Sequence, residues 1–248
     1  MAGAASVRPR VVVIPIRREG QCGSCGARAS SVCSGAIEER DVTRLAALAV
    51  VTHFPAGHIF IEENAPADSF FNITGGTAKL FKLLPDGRRQ ITGFAHIGHF
   101  LGLAAGTRYN FSAEAVDAVT ACRFKRQGLR NLMHETPQME ERLLQVASSE
   151  LIAAQDQMLL LGRKTARERV ASFLLSRTET NAPCATPSDR VSLPMTRTDI
   201  ADYLGLTIET VSRTLTRLRT DRLVEALADH GLRILARERL QEIAAGAG

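Results

Sequence analysis

The chain has 248 residues, 45% of them hydrophobic and 23% charged, with a formal net charge of +5. That is enough to bury a sizeable core in one or two globular domains, and no apolar run approaches the roughly eighteen residues that a membrane span needs. The basic balance fits a nucleic-acid partner, but acids and bases alternate along the chain, so charge by itself does not separate such a partner from a solvated surface.

The first 35 residues read as a polar, basic leader ending in a cysteine loop. The run VVVIPI (11–16) is too short and too proline-broken for a secretory core, which points to the cytoplasm. The loop CGSCGARASSVC (22–33) brings Cys22, Cys25 and Cys33 together in a chain with five cysteines. An odd count, close spacing and no export signal argue against a disulfide framework and for a metal. Spacing alone leaves zinc and iron–sulfur level.

IEERDVTRLAALAV then predicts a short amphipathic helix carrying Leu45 and Leu48. Residues 36–136 read as a sensor domain in which apolar runs, HIFI (58–61), SFFNI (69–73) and AKLFKLL (78–84), alternate with turn signals. That texture predicts a small β-barrel or jelly roll ending near Arg123. A long helix is expected over 137–177, opening at Pro137. Leu144, Ala147, Leu151, Ala154, Met158 and Leu161 recur at steps of three and four and form one stripe. Such a stripe is compatible with a two-fold seam or with packing on the chain's own barrel.

TETNAPCATPSDR gives a connector at 178–190, and 191–248 forms the last domain. There RTDIADYLGLTIETVSRTLTRL (197–218) has the pattern of a helix-turn-helix. Ala201 is small where two helices meet, Gly205 supplies the turn, and Ile200, Leu204, Leu206 and Val211 pack inward. Glu209, Ser212 and Arg213 then share the exposed side of the second helix, opposite Val211 and Leu215, where base edges would be met. Thr198, Arg217 and Arg219 are better placed for the phosphate backbone. RLVEALADHGLRIL (222–235) predicts a β-hairpin beside them. No nucleophile–base pair, phosphate loop or paired-carboxylate motif is recognisable, so the chain reads as a binding switch and not an enzyme.

A barrel, a long helix and a carboxy-terminal helix-turn-helix, in that order, resemble the Crp/Fnr family of bacterial transcription regulators. ETVSR (209–213), LPDGRRQITGF (84–94) and the cysteine loop resemble its oxygen-sensing FNR branch, in the α-proteobacterial variant with Cys-x2-Cys-x7-Cys spacing. The resemblance implies an α+β fold: a β-roll sensor domain, a dimerisation helix and a winged helix-turn-helix. It implies a [4Fe-4S] cluster on Cys22, Cys25, Cys33 and Cys122, favoured over zinc on the same four thiolates, with Gly23, Gly26 and Gly35 permitting the tight loop. It also implies a homodimer on double-stranded DNA of the form TTGAT-N4-ATCAA, with half-sites roughly 10 bp apart, read by Glu209, Ser212 and Arg213. Arg213 and Glu209 would share one G·C pair or its neighbour, with Arg213 also steadying the acid. RNA polymerase would be met through barrel loops, one of them the turn with Asp86 and Gly87.

Four details bound the resemblance. Cys184 matches nothing in the pattern and reads as a surface thiol. GHFLGLAAGTRYNFSAEAV (98–116) has His99 where a nucleotide-binding sibling carries an acid, and no arginine in NFSAEA, so no cyclic nucleotide is expected. His53, His58, His96 and His99 are expected to be surface or hydrogen-bonded residues. The seam is apolar at Ala154, with Glu150 and Asp156 off the stripe.

Overall fold

A computed structural model describes residues 12–15, 25–29, 31–33, 38–103, 106–179, 189–228 and 231–247. Cys22, Gly23, Gly35, Cys184 and most of the connector at 178–190 lie outside them. The chain divides into two compact units, Met1–Phe81 with Phe94–Val146 and Lys82–Gly93 with Ala147–Gly248.

The turn-punctuated apolar runs form the expected β-roll. Val12–Pro15 (β1), Ala49–Phe54 (β2), Val119–Lys125 (β9), Ser69–Gly75 (β4) and Phe100–Leu101 (β7) make one sheet, ordered β1-β2-β9-β4-β7. Ile59–Ile61 (β3), Ser112–Ala115 (β8), Ala78–Leu83 (β5) and Arg89–Ala95 (β6) make the other, ordered β3-β8-β5-β6. Alternation along β4 divides its side chains between two cores, as a period of two requires. Phe71 and Ile73 join Phe54, Ile61, Ala113 and Val119 inside the roll. Phe70 points the other way, into a second apolar layer with Val42, Leu45, Phe100 and Phe124.

Three helices close that second layer. Glu39–Leu48 (α1) buries Val42 and Leu45, as its amphipathic pattern predicts, while Leu48 stays partly exposed. Arg126–Glu135 (α2) follows directly on β9, inside the 36–136 span of the sensor domain. It buries Leu129 and Leu132, and the Gly128 within it weakens the helical signal. Pro137–Arg163 (α3) opens where the proline predicts and adds Met139, Leu143 and Val146 to the layer.

The single helix expected over 137–177 is in fact two, α3 and Ala166–Glu179 (α4). The break falls at a capping box. The Glu168 N–H donates to Thr165 Oγ1 at 3.4 Å and the Thr165 N–H donates to Glu168 Oε2 at 3.1 Å.

In the second unit α4 packs against Arg190–Val191 (β10), Ile208–Thr220 (α6) and Arg237–Ala244 (α7), with Arg197–Leu204 (α5) lying against α6. Val224–Ala226 (β11) and Leu232–Ile234 (β12) form the expected hairpin, with β10 added as third strand in the order β10-β12-β11. Among the described residues, no helix is long and apolar enough to cross a membrane.

Candidate sensor cavity and nucleic-acid interface

The helix-turn-helix is set by caps and one backbone position. Thr196 caps α5: its hydroxyl accepts from the Asp199 N–H at 3.1 Å, and the Asp199 carboxylate accepts from the Thr196 N–H at 3.1 Å. The buried Asp199 is further neutralised by Arg89, whose Nη2 lies 2.9 Å from it and 2.8 Å from Asp202. Gly205 ends α5 at φ +61, and a Cβ there would meet Leu161 Cδ2 at 3.3 Å and Arg169 Nη1 at 3.4 Å. Glycine therefore supplies both the left-handed turn and the close approach. Thr207 then caps α6, its hydroxyl accepting from the Thr210 N–H at 3.2 Å.

On α6, Val211, Leu215 and Leu218 are buried, while Glu209, Ser212 and Arg213 are exposed near its amino terminus, as expected. Ala201, Ile200 and Leu204 are buried; Leu206, expected to pack inward, is half-buried. The Glu209 carboxyl is held below the usual carboxylate range by its own backbone N–H and the Thr207 hydroxyl, with a smaller pull from Arg213. Arg213 Nε also donates to the Glu209 backbone carbonyl at 3.4 Å, so its guanidinium steadies the main chain as well as drawing on the acid. Thr198, Arg217 and Arg219 are exposed. Arg197 escaped the sequence reading. Burial, and then the neighbouring Arg219 charge, push its guanidinium below the ordinary arginine value, and its Nη1 is buried without a hydrogen-bond partner. The one available signal was its place as the first residue of α5.

The expected seam residues of α3 are solvent-facing in the single chain: Leu144 is 65% exposed, Leu151 61% and Met158 66%, with Ala147 and Ala154 between them. Ile152 and Leu159 widen that apolar stripe. Leu161 departs from it, being half-buried against Gly205. The turn before β6 is a hairpin closed by Gly87 at φ +85, with the exposed Asp86 accepting from the Arg88 N–H at 3.0 Å and from its Nε at 2.8 Å. Those two contacts, the backbone one first, hold the Asp86 carboxyl low.

In the first unit Cys25, Cys33 and Cys122 border one cavity with Arg28, Val42, Leu45, Ala46, Ala49, Asn72 and Phe124. Cys25 leads into a 3-10 turn, Gly26–Ala29, whose Arg28 N–H donates to the Cys25 carbonyl at 3.0 Å. The Cys33 N–H donates to Ser31 Oγ at 3.1 Å. Cys122 is brought in from β9, facing the layer with Phe124. Arg28 adds a half-buried cation at the cavity edge, paired with Glu39 at 2.7 Å. The donor set is sulfur in an apolar lining, which suits an iron–sulfur centre, whose ligands sit on separate irons, and leaves hard oxygen-seeking ions aside. Among the described residues, no three His, Cys, Asp or Glu side chains stand close enough together to hold one metal ion.

The histidines keep ordinary contacts. His53 shares a 3.0 Å hydrogen bond with Thr120, His58 stacks on Phe54 at 5.7 Å, and the His96 and His99 rings meet edge-on at 4.0 Å.

Comparison with known proteins gives the lineage of this arrangement. Residues 51–136 match the cyclic nucleotide-binding domain and residues 168–243 the Crp-like helix-turn-helix domain. The chain is 43% identical over 239 residues to the nitrogen fixation regulation protein FixK of Bradyrhizobium diazoefficiens, covering 96% of this chain and all (100%) of the relative. It is 45% identical over 223 residues to the transcriptional activatory protein AadR of Rhodopseudomonas palustris, covering 89% and 92%. Among solved structures, FixK2 from Bradyrhizobium japonicum aligns with a TM-score of 0.74 at 36% identity, over 81% of this chain and 99% of that one. With a β-roll, a long helix and a winged helix-turn-helix in this order, and relatives matching nearly end to end, the chain belongs to the Crp/Fnr family of transcription regulators.

Proposed function

We propose that the protein is an oxygen-responsive, cytoplasmic transcription regulator that reads a TTGAT-N4-ATCAA palindrome as a homodimer and mainly activates genes needed when oxygen is scarce. Cys22, Cys25, Cys33 and Cys122 would hold a [4Fe-4S] cluster, which supplies an oxygen-labile link between the loop at 25–33 and strand β9. Glu209, Ser212 and Arg213 read the bases, and Thr198, Arg217 and Arg219 hold the phosphates. Asp86 and Gly87 would offer RNA polymerase an exposed turn.

The observation that carries the reading is a shared layer. Cys33 and Cys122 pack in the same apolar cluster as Met139, Leu143 and Val146, the inward side of α3. Arg142 Nε on that helix donates to the Ser31 carbonyl at 3.3 Å, tying the helix to the cysteine loop. The outward stripe at Leu144, Leu151 and Met158 needs an apolar partner, and a second copy pairing along it would bury the stripe and present two copies of α6. Any shift of the loop is thus passed to α3 by packing and one hydrogen bond. Loss of the dimer halves the DNA contacts, so binding falls steeply. The relative named as a transcriptional activatory protein supports activation as the main output.

The test is an anaerobic absorption spectrum, then air, then a gel shift on the palindrome, with sedimentation of both forms. A brown protein that bleaches in air and loses the palindrome as it does so is the expected result. A colourless protein carrying stoichiometric zinc overturns the cluster. Tight cyclic-nucleotide binding by calorimetry overturns the account of the sensor.

A further inference from the structure

Asn72 is out of place by the rules that built the rest of the roll. It lies in the interior of β4, where asparagine is disfavoured, and it is only 1% exposed. It faces an apolar cavity instead of a turn or a solvated edge. Its neighbours across the sheet are Cys122 on one side and Phe100 on the other, in the row Val51, Cys122, Asn72, Phe100. Its Nδ2 donates to Cys33 Sγ at 4.0 Å, and its Oδ1 is buried with no hydrogen-bond partner.

Burying an amide is costly when half of it stays unsatisfied, so a leucine would serve the fold alone at least as well. A thiolate changes the comparison. An N–H directed at a charged sulfur in an apolar lining is stronger than one directed at a neutral thiol. Such bonds draw electron density off the sulfur and set how firmly an iron–sulfur centre is held.

We infer that Asn72 is a positioning residue for the cysteine cavity: its side-chain amide donates to the Cys33 thiolate and slows loss of the iron it ligates. The inference rests on the cluster proposed above. Asn72 ligates nothing; it acts through Cys33.

The full-length protein, loaded with iron and sulfide under argon, is challenged with a ferrous chelator, and the wild type is compared with Asn72→Leu and Asn72→Asp. Both variants keep roughly the shape of the side chain and remove the N–H. The leucine variant is expected to release iron roughly tenfold faster than wild type, with its sulfur-to-iron charge-transfer absorption moved to longer wavelength. The aspartate variant is expected to be faster still, since it sets an anion beside the thiolate. Iron-free Asn72→Leu should melt at or above the wild-type temperature, because it replaces a half-satisfied amide. A purely structural asparagine would instead lower that melting temperature and leave the absorption unmoved. If Asn72→Leu does not fold, the aspartate variant carries the same comparison. Wild-type release rates and unmoved bands in a variant that loads iron overturn the inference and leave the cluster standing. A wild-type protein that takes up no iron and sulfide overturns both.

Discussion

The DNA-reading helices and the cysteine cavity are built on opposite plans. Every residue assigned to reading lies between Thr198 and Arg219, on two helices joined by one turn. The cavity draws Cys25 and Cys33 from a loop, Leu45 and Ala49 from the end of α1 and the start of β2, Asn72 from β4 and Cys122 from β9. In the reader, a helical period and two threonine caps suffice to place the side chains. In the cavity, strand register does the placing, and a slip of one residue would turn both Asn72 and Cys122 to the other face.

Substitutions that break one region and spare the other test this contrast. The largest effect is expected for Cys122→Ser. Anaerobic iron content and promoter binding should both be lost, while circular dichroism of the aerobic protein stays that of wild type; retained oxygen-responsive binding would remove Cys122 as a ligand. Arg213→Ala should cost about 1–3 kcal/mol per half-site and relax preference at the G·C pair. Iron loading should be unaffected, and competition gel shifts on single-base variants of the palindrome measure both. Gly205→Ala forces an L residue into the left-handed region at φ +61 and should cost about 1–2 kcal/mol. Calorimetry should show the lower melting in the second unit, with the visible spectrum of the loaded protein unchanged. The smallest effect is that of Thr196→Ala, which removes half of the α5 capping box. It should lower stability by about 1 kcal/mol, read by chemical denaturation, with sequence preference kept.

Legibility followed the same division. The turn at Gly205, the exposed trio Glu209, Ser212 and Arg213, and the buried Val211 were readable, because each depends on neighbours within one helical turn or one short loop. Thr165 and Glu168, three apart, also held a local signal, a capping box that divides the expected helix at 164–165; the apolar stripe running up to Leu161 obscured it. Helix α2 was hidden by Gly128 and by its place directly after a strand.

By itself, the sequence determined the order of the sheet-rich part, the long helical segment and the helix-turn-helix with its exposed face, and the presence of three clustered thiols, since period, caps and spacing are properties of adjacent residues. Only the tertiary structure decided that Cys122 and Asn72 stand side by side across β9 and β4, and that α3 shares the cysteine layer through Met139, Leu143 and Val146. It also decided that Leu161 packs against Gly205 instead of continuing the stripe. Those contacts join residues far apart in the chain, and register and packing, which no local pattern encodes, choose among their possible partners.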